Sequence, residues 1–343
     1  MGEEDIMNWQ SQLKGNPIEW LLEPENPGVR YLALRDLLDS PDEDTELIAA
    51  RHKAHTLGPI AMILNKMQPE GYWAKPGPGY TTKYRSTAWT LIMLAQLGAR
   101  ASEDERIRRG CAYLLEHALT PGGQFTIYGT SSSTIDCLQG NLCWALLELG
   151  YDVPRLQQAY EWMARTVTGE GMAPRAEKDA ELRYYAYNCG PLFACGPNYG
   201  QSCAWGAAKI MLAFGKISET QRTPMIRDAI QEGVDFLFST DPAKADWPTR
   251  QGDKPSRNWW KFGFPVFYVT DLLQVVEALV ALGYGADPRL TNSLELIRQK
   301  QDDQGRWLLE YDYIGKTWVS FGVMKQPNKW VTERAMRVLK RAG

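Results

Sequence analysis

The sequence predicts an all-α protein built as an α/α toroid, with five to six helical hairpins forming an inner ring of helices inside an outer ring. Three observations lead there. Helical segments recur with one kind of ending. Helices that are apolar nearly all round alternate with helices that carry a single apolar stripe. No strand-like alternation of any length competes with them.

The repeated ends are Leu94–Gly98, Leu146–Gly150, Met211–Gly215 and Val280–Gly283, each finishing on a glycine, the expected left-handed stop of a helix. A weaker first unit covers 27–38 and 58–67, and a last one ends the chain at Trp330–Arg341. Thr134–Leu149 carries only Asp136 and Glu148 as charges, and Val266–Leu282 only Asp271 and Glu277. Such helices are buried on both sides. Asp287–Lys300 keeps one stripe, Leu290, Leu294 and Ile297, and belongs on the surface. Inner helices this apolar cannot line an open groove, so a closed ring around an apolar central cavity is favoured over a solenoid. No linker divides the chain. Residues 1–343 read as a single toroid domain, with Pro242–Pro255 a polar loop inside one unit.

Composition narrows the function classes. The net charge is −3 and Lys and Arg form no block, which excludes nucleic acid as the main partner. No apolar run approaches the ~20 residues of a membrane span. The acidic start, Met1 to Ile6, is unlike a signal peptide, so a cytoplasmic location is expected. Six cysteines in a chain of this kind are not a disulfide framework. Thirteen Trp and sixteen Tyr against nine Phe favour rings with a polar edge, suited to loop junctions and ligand-cavity walls.

Gln301-Asp302-Asp303-Gln304-Gly305-Arg306-Trp307 has the form Gln-x-x-x-Gly-x-Trp, and Gln68-Pro69-Glu70-Gly71-Tyr72-Trp73 is one residue shorter. Gln can satisfy open backbone groups at a helix end while Trp packs under the next helix. With these repeats in register with helical pairs, the chain resembles the squalene cyclase and protein prenyltransferase β-subunit superfamily. That resemblance implies an α/α toroid and an enzyme handling isoprenoids. The chain lacks the Asp-x-Asp-Asp proton donor of class II terpene cyclases, and its Asp136 and Cys137 are adjacent rather than in the Asp-x-Cys step of prenyltransferases.

Aligned by their terminal glycines, the inner helices place Arg85, Cys137, Cys203 and Asp271 twelve or thirteen residues before the end, at nearly one height. Cys195 precedes Cys203 in a Gly/Pro loop able to fold back over the helix start. Cys137, Cys195 and Cys203 are therefore candidate ligands of a catalytic Zn2+, with Asp271, water or substrate in the fourth position. Without metal, Cys137, Cys203 and Asp271 remain candidates for acid/base work. Lys83, Tyr84 and Arg85 are placed to orient an anionic head group, and Trp89, Trp144 and Tyr268 to wall the cavity. Cys111, Cys143 and Cys189 read as packing, His52 and His55 as surface residues, and Asp39, Asp42 and Asp44 as helix caps. The expected function is an enzyme acting on an isoprenoid or similar apolar ligand. The alternatives are a carrier of such a ligand without chemistry, or a toroid scaffold whose rim binds a protein.

Overall fold

The computed structural model describes residues 9–249 and 254–343. Its helices run α1 (Ile18–Leu21), α2 (Pro27–Leu32, continuing as a π-helical turn over Ala33–Leu37), α3 (Thr45–Thr56), α4 (Pro59–Leu64), α5 (Thr87–Gln96), α6 (Glu105–Ala118) and α7 (Asp136–Glu148). They continue as α8 (Pro154–Thr168), α9 (Ala204–Lys216), α10 (Pro224–Leu237), α11 (Leu272–Ala281), α12 (Thr291–Gln299) and α13 (Lys329–Ala342). The one sheet among the described residues is a hairpin, β1 (Ala194–Cys195) with β2 (Gln201–Ser202). No helix of the described residues is long and apolar enough to cross a membrane.

The even-handed apolarity of some helices decides the layers. In α5, every residue from Thr87 to Ala95 is buried, and α7, α9 and α11 are nearly as enclosed. They form a ring in which α5 packs on α7, α7 on α9, α9 on α11 and α11 on α13. Helix α13 packs on α2 and its π-helical turn. The circle closes where a Cβ at Gly98, just past α5, would lie 2.8 Å from Leu32. The striped helices α3, α6, α8, α10 and α12 each pack outside an inner one. They begin on capping side chains, Asp44 for α3, Asp104 for α6 and Thr223 for α10, and α4, α8 and α10 have proline in the first turn. The chain is thus an all-α, closed α/α toroid.

Gly98, Gly150 and Gly283 do end inner helices in the left-handed region, with φ of 78°, 73° and 93°. Gly215 does not. It lies inside α9, where a Cβ would come within 2.8 Å of Ala281 Cβ, so it is there for close helix approach. His55, expected at the surface, is buried, and its Nε2 accepts the Arg100 N–H at 3.0 Å.

The Gln/Trp loops repeat in atomic detail. The Trp73 indole donates to Ile63 O at 2.9 Å and its backbone N–H to Thr87 Oγ1 at 3.1 Å. Trp307 donates to Ile297 O at 2.8 Å and to Thr332 Oγ1 at 3.0 Å. Each ring pins an outer helix end to the next inner helix. Gln301 serves the open N-terminal segment, accepting from Lys14 N and donating to Gln12 O. Both indoles are fully buried, so Trp307→Ala is expected to cost about 3–5 kcal/mol in urea unfolding. Trp307→Phe, which keeps most of the ring and loses one hydrogen bond, should cost much less, about 1–2 kcal/mol.

The ring interior corrects one expectation: it is not an apolar cavity. Where the inner helices end, Arg35, Asp36, Glu148, Lys216, Glu277, Glu333, Arg334 and Arg337 pair around the axis. They leave a cavity of only about 50 Å³. Trp144 lines this small polar cavity, and Trp89 is buried among other rings, its indole donating to Tyr80 O at 2.8 Å.

Candidate functional site

The larger cavity, about 660 Å³, opens at the opposite mouth of the ring, where α7 and α9 begin. Two glycines draw these helices together. A Cβ on Gly140 of α7 would lie 2.5 Å from the Lys209 backbone of α9, and one on Gly206 would lie 3.5 Å from Asp136 Cβ. The first residues of the two helices therefore share one wall. That wall carries Asp136, Cys137 and Cys203, joined by Cys195 from β1.

Asp136 is buried at the first turn of α7. Its carboxyl accepts from the Cys189 thiol and the Gly190 N–H, while Oδ2 has no hydrogen-bond partner. Burial, with the nearby Cys203 anion, pushes its pKa from 3.8 up to about 7. An acid that keeps its proton up to about pH 7 is a donor of the kind general acid catalysis needs.

Cys203 precedes α9 and has the opposite shift. The Cys195 thiol donates to it, and the amides of Gly206 and Trp205 at the helix start favour its anion, so its pKa falls to about 7 despite burial. Cys195, as the donor, is pushed up. Burial raises Cys137 to about 12. Lys209, fully buried one layer deeper and donating to Gln274 Oε1, is lowered to about 7 by burial.

The other walls are rings. Trp247 and Trp259 lie 5.0 Å apart, and Trp205 lies 6.2 Å from Trp259 and 6.4 Å from Tyr268. The Lys83 ammonium sits 4.6 Å above the Tyr268 ring and 5.5 Å above Tyr80. Trp259 and Ser256 come from the aromatic, basic loop before α11, which packs as rim; residues 250–253 of its approach lie outside the described residues.

Of the residues singled out in the sequence, Lys83, Cys137, Cys195, Cys203 and Tyr268 line this cavity. Equal height along the helices brought the cysteines together, but phase took Asp271 and Arg85 elsewhere. Asp271 caps α11 through Gln274 N at 2.8 Å and pairs with Arg334 at 3.3 Å. Arg85 donates to Gly315 O and Thr317 O. Tyr84, with φ of 70°, packs on Phe267 and Tyr313 behind the wall. Among the described residues no three His, Cys, Asp or Glu side chains are grouped as the ligands of a metal ion. The residue the sequence reading passed over is Asp136. Its signal was a carboxylate at the start of a helix with one other charge, beside a cysteine.

No family model matches the sequence, and no curated protein matches it. Solved structures are similar. An unsaturated glucuronyl hydrolase specific for heparin is 12% identical, with a TM-score of 0.49, over 96% of this chain and 86% of that one. The unsaturated glucuronyl hydrolase of Streptococcus agalactiae is 14% identical, with a TM-score of 0.44, over 93% and 79%. A type II terpene cyclase from Scytonema is 13% identical, with a TM-score of 0.33, over 86% and 98%. Likenesses of this size say nothing of what this cavity acts on; the toroid stands on the ring closure described above.

Proposed function

We propose that the protein is an enzyme that binds an elongated, apolar, isoprenoid-like molecule in the mouth cavity and protonates an oxygen of it through Asp136. The observation that supports this most is the carboxyl itself: buried in the wall of a ring-lined cavity, with one oxygen unpartnered, and keeping its proton up to about pH 7. Cys189 and Gly190 hold the carboxyl in place. The Cys203 anion beside it keeps the proton on until a substrate oxygen takes it. An acid of this strength suits an oxygen atom better than a carbon–carbon double bond. Trp205, Trp259 and Tyr268 offer π-faces to positive charge that develops on the substrate.

Farnesol and its terminal epoxide serve as probes. Both are expected to quench tryptophan fluorescence on binding, and Trp259→Ala to weaken binding by about ten-fold, the loss of roughly 1.4 kcal/mol of ring contact. Opening of the epoxide should be fastest below pH 7 and fall as Asp136 loses its proton. Binding without turnover would support a carrier instead. Absence of binding would overturn the substrate class.

A further inference from the structure

The paired sulfurs of Cys195 and Cys203 have a chemistry that proton donation does not use. The register of the β1–β2 hairpin sets Cys195 opposite Gln201. Cys203, two residues beyond Gln201, has its N–H on Phe193 O at 3.0 Å, which continues the pairing. Side chains two apart on a strand face the same way, so both cysteines project from one face of the hairpin as a diagonal pair. Their sulfurs are in hydrogen-bond contact, with the Cys195 S–H donating. Both are free, partly exposed and open to the 660 Å³ cavity. Cys111, Cys143 and Cys189 are buried instead. Each strand of the hairpin is two residues long, and the connection between them turns through Tyr199 and Gly200 in left-handed conformations, a short link that can yield as two sulfurs approach.

We propose that Cys203 and Cys195 are a hydroperoxide-reactive thiol pair that closes to a disulfide across the cavity wall. The Cys203 sulfur attacks the distal oxygen of a hydroperoxide; the O–O bond breaks, the alcohol or water leaves with a proton, and Cys203 becomes a sulfenic acid. Cys195 then attacks that sulfur. The S–O bond breaks, water leaves, and the S–S bond forms. Two electrons pass from the two thiols to the peroxide. The closed form replaces the Cys203 anion beside Asp136 with a neutral disulfide. Nothing in this step depends on the identity of the enzyme's substrate, so it stands or falls apart from the reading above.

The test uses the reduced full-length protein with one equivalent of hydrogen peroxide or cumene hydroperoxide, followed by denaturing thiol titration and non-reducing peptide mass spectrometry. The expected result is loss of two of the six thiols and a peptide pair linked through Cys195 and Cys203. In Cys195→Ser the disulfide should be absent and Cys203 should be trapped as a sulfenic acid by dimedone. Cys203→Ser should consume peroxide at least about ten-fold more slowly, with helix content unchanged by circular dichroism. Retention of all six thiols, linkage through Cys137, or equal reactivity of Cys203→Ser and the parent would overturn the proposal.

Discussion

Asp136→Asn is expected to slow epoxide opening by about 10²–10⁴-fold and, at the same time, to make the protein more stable above pH 7. The second effect follows from linkage. The folded-state pKa, about 7, lies above the ordinary 3.8, so the native state binds the proton more tightly than the unfolded chain does. Stability on this account is fully present below pH 3.8 and is lost as the pH rises through about 7. Above that, the native state carries a buried carboxylate with one unpartnered oxygen. Asparagine keeps an acceptor for Cys189 and Gly190 and removes the charge. The gain at pH 8 is on the order of 4 kcal/mol, and it should vanish below pH 4. Urea unfolding at pH 4 and pH 8 reads it directly. A variant that is less stable at both pH values would show that Asp136 is an ordinary structural acid.

Arg337→Met is expected to destabilise the ring strongly. Arg337 bridges Asp36 at 3.2 Å, Glu333 at 3.2 Å and Glu277, tying the first, penultimate and last inner helices together where the ring closes. Removing the cation leaves buried carboxylates facing one another, and breaking a buried pair in this way costs about 3–5 kcal/mol. The same network predicts acid sensitivity. Burial works against ionisation of Glu148, but Lys216 and Arg35 win and hold it at about 2. A lowered carboxylate pKa gives stability that is present above the unfolded value and lost as the pH falls toward about 2. A loss of less than about 1 kcal/mol in Arg337→Met at pH 7 would mean that the network contributes little to ring closure.

The architecture was legible because apolarity all round a helix and glycine at its end are local signals. Thr87–Ala95 is buried on every side as its composition implies, and Gly98, Gly150 and Gly283 stop helices as their sequence context implies. Gly215 looked the same in the sequence and is not a stop, because the approach of Ala281 from a distant helix cannot be read locally. The ionic interior was hidden for a related reason. Glu148 and Glu277 are isolated charges on their own helices, and only the closed ring sets them beside Arg35 and Arg337. At the cavity, residue counting brought Cys137 and Cys203 to one wall. It could not give rotation about the helix axis, and Asp271 turned toward Arg334. Asp136 was missed because its unusual state comes from burial between α7 and α9 and from Cys189, contacts supplied by the fold.

The protonation state of Asp136 tests the central claim most directly. In protein labelled with ¹³C at aspartate side-chain carboxyls, one resonance should titrate near pH 7, and it should be missing in Asp136→Asn. Its midpoint should fall when Cys203→Ser removes the neighbouring anion. If every aspartate resonance is already in its ionised position by pH 5, Asp136 is not the proton donor, and the account of the cavity is contradicted.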